Sequence, residues 1–366
     1  MIDGMIRPVD ILKSLVKPLA AILGSIVLSA LLLAAFKYPV AGSLSALWDA
    51  SFQNLRVFGN MLNKACPLLF TGIAVAIANR GSVFNIGAEG QFLLGAVAST
   101  WAGITFTGLP GPALIVLMVL AGALAGAAWA FVPGILKAKL AVSEVITTIM
   151  FNYIALHLVG ILVRTVMRDR TKTEPQSYTI AKQGYLPDLI EKTKLHPGFF
   201  IGCIVAIVIF ILLFKSHFGY EVRAVGLNRV AAQYAGISVN RTMVVTMLLS
   251  GALAGMGGAF EVAGSSHYLY ERISPGYGYT AIAVSVLAGD NPIGVIFSSL
   301  LFGFLESGSS SMQRSVGVSA SFADIVKGII IIFVAIAAVK RYAGASKKAG
   351  APGKKESCQA EEVKPI

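Results

Sequence analysis

The sequence predicts an all-α polytopic membrane protein with about ten transmembrane helices, and three observations carry that reading. Hydrophobic residues make up 56% of the chain and charged residues only 13%, whereas a soluble domain carries roughly a quarter charged. So much apolar surface exceeds what one water-facing core can hide. Apolar runs of about 18 residues or more recur from end to end, the length that crosses a bilayer as helix. The net charge of +12 sits mainly beside these runs, as in the basic loops of the cytoplasmic side. No nucleic acid is therefore expected as a partner, and membrane lipid is the surrounding phase.

The spans expected in order are 19–36, 67–80, 89–107, 112–132, 145–163, 199–214, 242–263, 278–289, 293–306 and 322–339. Arg7, Lys13 and Lys17 precede the first, and Lys340, Arg341, Lys347 and Lys348 follow the last. Both ends then read as cytoplasmic, 1–18 as a short lead and 19–342 as the permeating body, which requires an even number of crossings. The first run is long enough to span and lacks a small-residue cleavage site, so a removable signal is not expected. Interior loops agree at Arg80, at Lys137 and Lys139, and at Lys215, Arg223 and Arg229. The segment 164–198 disagrees, with seven Lys/Arg against four Asp/Glu on the expected outer side. It reads as a small external structure. Residues 343–366, rich in Lys, Glu, Gly, Ala and Pro, read as a disordered tail.

Residues 67–163 and 242–339 each hold four spans with similar spacing, and their longer connections fall at 133–144 and 307–321. Equivalent spans lie five apart, so the two blocks would run oppositely through the bilayer, as an inverted repeat. Two stretches interrupt the apolar pattern. RGSVFNIGAEGQFLLGA, residues 80–96, follows a run that begins at Pro67, a residue suited to a first helical turn. That run, at about 1.5 Å per residue, gives roughly 21 Å, short of the ~30 Å hydrocarbon core. The polar break is therefore expected inside the membrane on the cytoplasmic side, with Arg80 reaching outward and Asn85, Glu89 and Gln91 supplying hydrogen bonds. SSHYLYERISPGYGYTA, residues 265–281, is its counterpart in the second block. Broken segments at matching places point to a transport site, while cross-linking of neighbouring helices remains the alternative for each residue. In EVITTIMFNYIALHLVGILV (144–163), Thr148, Asn152 and Ala155 share one helical stripe. A polar stripe in a membrane helix faces protein or a cavity, and Glu144 suits the helix N-terminus.

AVGLNRVAAQYAGIS (224–238) lies between the sixth and seventh spans on the basic side. Asn228 is a good N-cap and Gly236 a good stop, leaving a short helix kept slim by Ala231, Ala232 and Ala235 and anchored by Tyr234. Such a helix suits a partner's groove; an ordinary loop is the alternative.

VFNIGAEGQFLLGA, EVITTIMFNYIA, AVGLNRVAAQYAGIS, SPGYGYTAIAVSVLAGDNPIGV and LLFGFLESGSSSMQ resemble, in order, the signatures of bacterial ATP-binding cassette importer permeases. The group is the branched-chain amino acid and simple-sugar permeases, and the likeness is to the nucleoside-uptake branch. It runs from about 55 to 340, departing at Gly289-Asp290-Asn291-Pro292, where relatives often carry a basic residue before Asn-Pro. The resemblance implies a vitamin B12-importer-like permease fold with an inverted repeat. It implies three kinds of partner: a cytoplasmic ATPase, a second and often non-identical permease, and an extracytoplasmic substrate-binding lipoprotein. It also makes 215–241 the ATPase-coupling segment, through Asn228, Ala231, Ala232, Tyr234 and Gly236. Asn85, Glu89, Gln91, Thr148, Asn152 and Tyr153 are then the candidates for the substrate pathway.

No catalytic residue is expected. The chain has no G-x-x-x-x-G-K-[ST] loop, so ATP and Mg would be bound by the partner ATPase and no cofactor by this chain. Cys66, Cys203 and Cys358 lack metal-ligand spacing. An ion-coupled transporter would need an intramembrane carboxylate; Glu89, Glu261 and Glu306 are available but lie near span ends. A hydrolase would need a Ser–His or paired-Asp arrangement, and His157 stands alone within a span. Simple sugars are the runner-up cargo.

Overall fold

In the computed structural model the chain is described over residues 27–332, apart from positions 29, 191, 192, 194, 320, 323, 326, 327, 330 and 331. Residues 1–18 and 343–366, most of the expected span 322–339 and the first part of 19–36 lie outside the described residues. The helices are α1 (Val40–Phe52), α2 (Leu55–Arg80), α3 (Ala88–Thr105), α4 (Gly111–Leu140), α5 (Glu144–Arg164), α6 (Gly198–Lys215), α7 (His217–Leu227), α8 (Arg229–Tyr234), α9 (Val239–Glu261), α10 (Tyr277–Ala288) and α11 (Pro292–Val316). Among the described residues, six helices are long and apolar enough to cross a membrane. The chain is a multi-pass membrane protein.

Several expectations need correction, and one cause explains most of them. The span expected at 67–80 begins at Leu55, so Pro67 lies inside the helix and not in its first turn. The span expected at 293–306 continues to Val316, and the connection expected at 307–321 is helical up to that residue. Helix α1 was not expected at all. The polar residues that mark an apparent end of each run, Asn60, Asn63 and Lys64 in α2 and Ser307, Ser311 and Arg314 in α11, face an internal cavity. Hydropathy cannot tell a cavity-facing polar residue from a solvent-facing one. The connection expected at 133–144 is likewise helical through Leu140, and the turn after it is tied by Lys137 Nζ to Glu144 Oε2 at 2.6 Å. That ion pair gives Glu144 a partner beyond the helix terminus.

Helices α3, α4 and α9 form the tightest part of the bundle. The pentapeptide Gly-Ala-Leu-Ala-Gly occurs at 122–126 in α4 and again at 251–255 in α9. Small residues four apart let two membrane helices bring their backbones together. Here a Cβ on Gly255 would overlap the carbonyl oxygen of Gly122, one on Gly126 that of Gly251, and one on Gly95 of α3 the backbone of Gly255. Helix α9 also packs on α2, and α2 in turn packs on α10 and α11. The contact pattern therefore exchanges: the first helix of each block lies against the second and third helices of the other.

Both polar interruptions are breaks between helices. After Arg80 the chain is non-helical up to α3, and after a π-helical turn at Val262–Ser266 it is irregular as far as α10. Helices α3 and α10 both begin in the interior. Their first turns touch, with Gly278 N donating to Glu89 Oε2 at 2.7 Å. Helix α10 then runs about 18 Å to the end where Arg80 donates to the carbonyls of Asp290 and Gly289. The break is thus deep because a short helix starts there, not because α2 is too short to cross. Arg80 turns back onto its neighbours, where it was expected to reach outward.

The segment 164–198 covers the opposite end. Its backbone bonds into the second break and the helix ends: Ile180 N to His267 O at 3.0 Å, Leu186 N to Ala263 O at 2.9 Å and Ala181 N to Gly103 O at 3.1 Å.

Candidate functional site

A polar cavity of about 760 Å³ opens at the end covered by 164–198, within the range of small-molecule sites, about 300–1,000 Å³. Helix α1 contributes Asp49, with Gln53 just after it; α2 contributes Asn60, Asn63 and Lys64; α11 contributes Ser307, Ser311 and Arg314. The wall from the covering segment is Tyr185, Leu186 and Asp188. Tyr185 stacks on His267, the rings parallel within 7° and 3.8 Å apart, and both belong to the lining. Lys64 Nζ donates to Ser310 Oγ at 2.7 Å and to Glu306 O at 3.3 Å, which joins α2 to α11 across the cavity's side.

The cavity's floor is Tyr277, the first residue of α10. Phe92 of α3 backs it edge-on at 5.6 Å, and the Glu89–Gly278 bond follows one residue later. The floor therefore rests on the joint between α3 and α10.

His196 stands behind the wall. Its ring packs against Gly264, itself a lining residue. Nδ1 accepts from Gly198 N at 3.1 Å, so the neutral ring carries its proton on Nε2. Burial, aided by the neighbouring His267, pushes the pKa of His196 down to about 4. On the external segment, Asp169 accepts from Thr171 Oγ1 at 2.6 Å and from its backbone N–H at 2.9 Å. Those bonds hold its carboxyl below the usual range.

None of the six residues expected along a pathway is among the cavity's lining. Five are buried around the joint. Asn85 Nδ2 donates to Gln91 Oε1 at 2.9 Å and to Ser250 Oγ at 2.8 Å, while Ser250 Oγ donates to Ala74 O at 2.6 Å. This ties the start of α3 to α9 and α2. Asn152 Oδ1 accepts from Gly90 N at 2.8 Å, and its amide donates to Ile86 O at 2.9 Å and Tyr279 Oη at 3.3 Å. Thr148 turns back to Glu144 O within its own helix at 2.6 Å. Tyr153 is 54% exposed, on a different face of α5. The cavity residues that hydropathy reading missed carry a recoverable signal: α2 and α11 repeat polar residues at helical spacing, Asn60/Asn63/Lys64 and Ser307/Ser311/Arg314.

At the basic end, α8 is capped as its sequence requires. Asn228 Oδ1 accepts from Val230 N and Ala231 N, both at 3.0 Å. Gly236 takes φ +83°, a left-handed stop that avoids the Cβ clash of other residues. One expectation changes: Ala232, expected to fit a partner's groove, is buried within the chain against Val83, Val225, Met243 and Met247. The exposed face is Val230, Ala231 and Tyr234, with Leu227 just before; Leu227 and Tyr234 are each 90% exposed.

Residues 57–335 match the family described as branched-chain amino acid transport system / permease component. The chain is 38% identical over 344 residues to the guanosine ABC transporter permease protein NupP of Bacillus subtilis, covering 93% of this chain and 99% of that one. It is 33% identical to the nucleoside ABC transporter permease protein NupB of Lactococcus lactis, over 88% and 91% of the two chains. To the glucose ABC transporter permease protein TsgB13 of Haloferax volcanii it is 33% identical, over 87% and 86%. The two bacteria each hold a second, less similar permease of like name, NupQ at 27% and NupC at 31%. With the family model covering most of the helical bundle, the chain belongs to the permease component family of the branched-chain amino acid transport systems.

Proposed function

We propose that the chain is the permease subunit of an ATP-driven importer and passes nucleosides, delivered by an extracytoplasmic binding lipoprotein, across the bacterial cytoplasmic membrane. The observation that carries this is the polar cavity set among apolar spans in a chain so similar to nucleoside permeases. Its lining suits that cargo. The amides of Gln53, Asn60 and Asn63 pair donors with acceptors, as a base edge does, and Ser265, Ser307 and Ser311 match ribose hydroxyls. The Tyr185–His267 stack puts aromatic rings in the lining, a surface on which a base can pack. The likeness to nucleoside permeases, not this stack, sets nucleosides ahead of simple sugars.

In this reading the α3–α10 joint is the barrier beneath the cavity. Asn85, Glu89, Gln91 and Asn152 hold it shut, with Thr148 packed beside them against Gly87, and rearrangement of the two breaks opens it toward the cytoplasm. The exchange of contacts between α2 and α9 supports an inverted repeat and, with it, a vitamin B12-importer-like fold of ten spans with both termini cytoplasmic. Hydrolysis of ATP, with its Mg, falls to a separate ATPase seated on the exposed face of α8. The paired permeases of the two bacteria support a second, non-identical permease as partner. The arginines of 164–170 suit salt-sensitive steering of the binding protein.

The test is reconstitution of the complete importer in proteoliposomes. ATP-dependent uptake of guanosine, reduced about tenfold or more by Asn60→Leu, is expected. Uptake of glucose with guanosine ignored would overturn the cargo, and uptake by this chain without an ATPase would overturn the mechanism.

A further inference from the structure

A second cavity, of about 610 Å³, lies at the basic end between α2, α6, α7 and α10. Arg80 and Arg223 both approach the ring of Phe214, their guanidinium carbons 5.6 and 5.2 Å from its centroid. All three line this cavity. Arg80 spends Nε and one terminal nitrogen on the carbonyls of Asp290 and Gly289, and Arg223 spends Nε on Gly219 O. Terminal N–H groups remain on both. Among the described residues neither guanidinium is in an ion pair. Asp290 is also in the lining, but its Oδ1 accepts from Asn79 and Ser285. Two positive charges therefore face the cavity against one carboxylate already held by hydrogen bonds.

The cavity continues an apolar stripe. Along α6, Phe200, Ile204, Ile207 and Ile211 are exposed, and Phe214 is the next residue at that helical spacing. A stripe of this kind on a membrane helix faces acyl chains, and it leads straight to the two guanidinium groups. We propose that this cavity holds the phosphate of an anionic phospholipid, with its chains along α6. Arginine suits the role because its planar fork engages phosphate through two N–H groups while its face rests on an aromatic ring. The site joins α2, α6, α7 and α10 just ahead of α8, so its occupant braces the segment that precedes the exposed helix. It depends on the membrane spans alone and not on the cargo.

The full-length chain, purified in neutral detergent, is titrated separately with phosphatidylglycerol and phosphatidylcholine and read by native mass spectrometry. Wild type should retain the anionic lipid about fivefold more strongly, the effect of roughly one basic contact near a membrane surface. Arg223→Gln should remove that preference, and Ile211→Asn should weaken retention of both lipids. Arg80→Gln serves as a second probe; if loss of its two carbonyl bonds prevents folding, Arg223→Gln still decides. Equal retention of the two lipids by wild type, or an unchanged preference in Arg223→Gln, overturns the proposal. Full displacement of the lipid by millimolar inorganic phosphate also overturns it, because the site would then serve a free anion.

Discussion

The seam between α4 and α9 and the cavity between α2 and α11 solve opposite problems with the same kind of apolar helix. In the seam, glycines four apart bring two backbones so close that a Cβ at Gly255 has nowhere to go. In the cavity, polar side chains replace apolar ones on the inner faces and leave about 760 Å³ open. The seam is rigid because close-packed interiors have few ways to give. The cavity is adaptable because its polar groups can exchange partners with a solute. Stability and, in the proposed function, cargo handling are thus placed in different helix pairs, joined where α3 meets α10.

Mutations can break this division. Gly255→Leu should have the largest effect, because it forces a branched side chain into the carbonyl of Gly122. A cost above about 4 kcal/mol should leave no monodisperse protein after gel filtration. His196 should come next, through pH. Unfolded, its ring takes a proton from about pH 6.5 downward; folded, it stays neutral to about pH 4. Stability should therefore fall as pH drops from about 6.5 to 4, by about 3 kcal/mol in full. His196→Gln should flatten that slope in a pH series of thermal melts.

Asn85→Leu tests whether the joint belongs with the seam or with the cavity. It strands the Gln91 amide and the Gly87 N–H and removes one of the two bonds of Ser250, which should cost about 2 kcal/mol. Lowered melting temperature together with lowered uptake would assign the residue to structure, whereas uptake lost at unchanged melting would assign it to the barrier. Asn60→Leu should do the reverse of Gly255→Leu, cutting uptake about tenfold with little change in melting. The smallest effect is expected at the surface. Arg164 and Glu271 pair at 2.8 Å but are half exposed, so Arg164→Ala should change stability by less than about 1 kcal/mol. A larger loss would mean that this pair helps to hold the external segment on the second break.

Read by residues, the sequence by itself determined the membrane class, that each expected run between 67 and 306 falls on a helix, the two breaks and the caps of α8. These are properties of hydropathy, of glycine and of asparagine that act within a few neighbouring residues. Asn228 and Gly236 needed no tertiary partner to define a helix between them. The full lengths of α2 and α11 were hidden because Asn60, Asn63, Lys64, Ser307, Ser311 and Arg314 look like loop residues until a cavity is placed beside them. Likewise Ala231 and Ala232 are equivalent in sequence, and only packing against Met243 and Met247 decided which one faces inward. The pairing of two identical pentapeptides, the meeting of Glu89 with Gly278 and the stacking of Tyr185 on His267 join residues far apart in the chain. Local preference sets what each segment can be, but the side a polar residue faces depends on neighbours brought up by the fold, and that is where the cavity was decided.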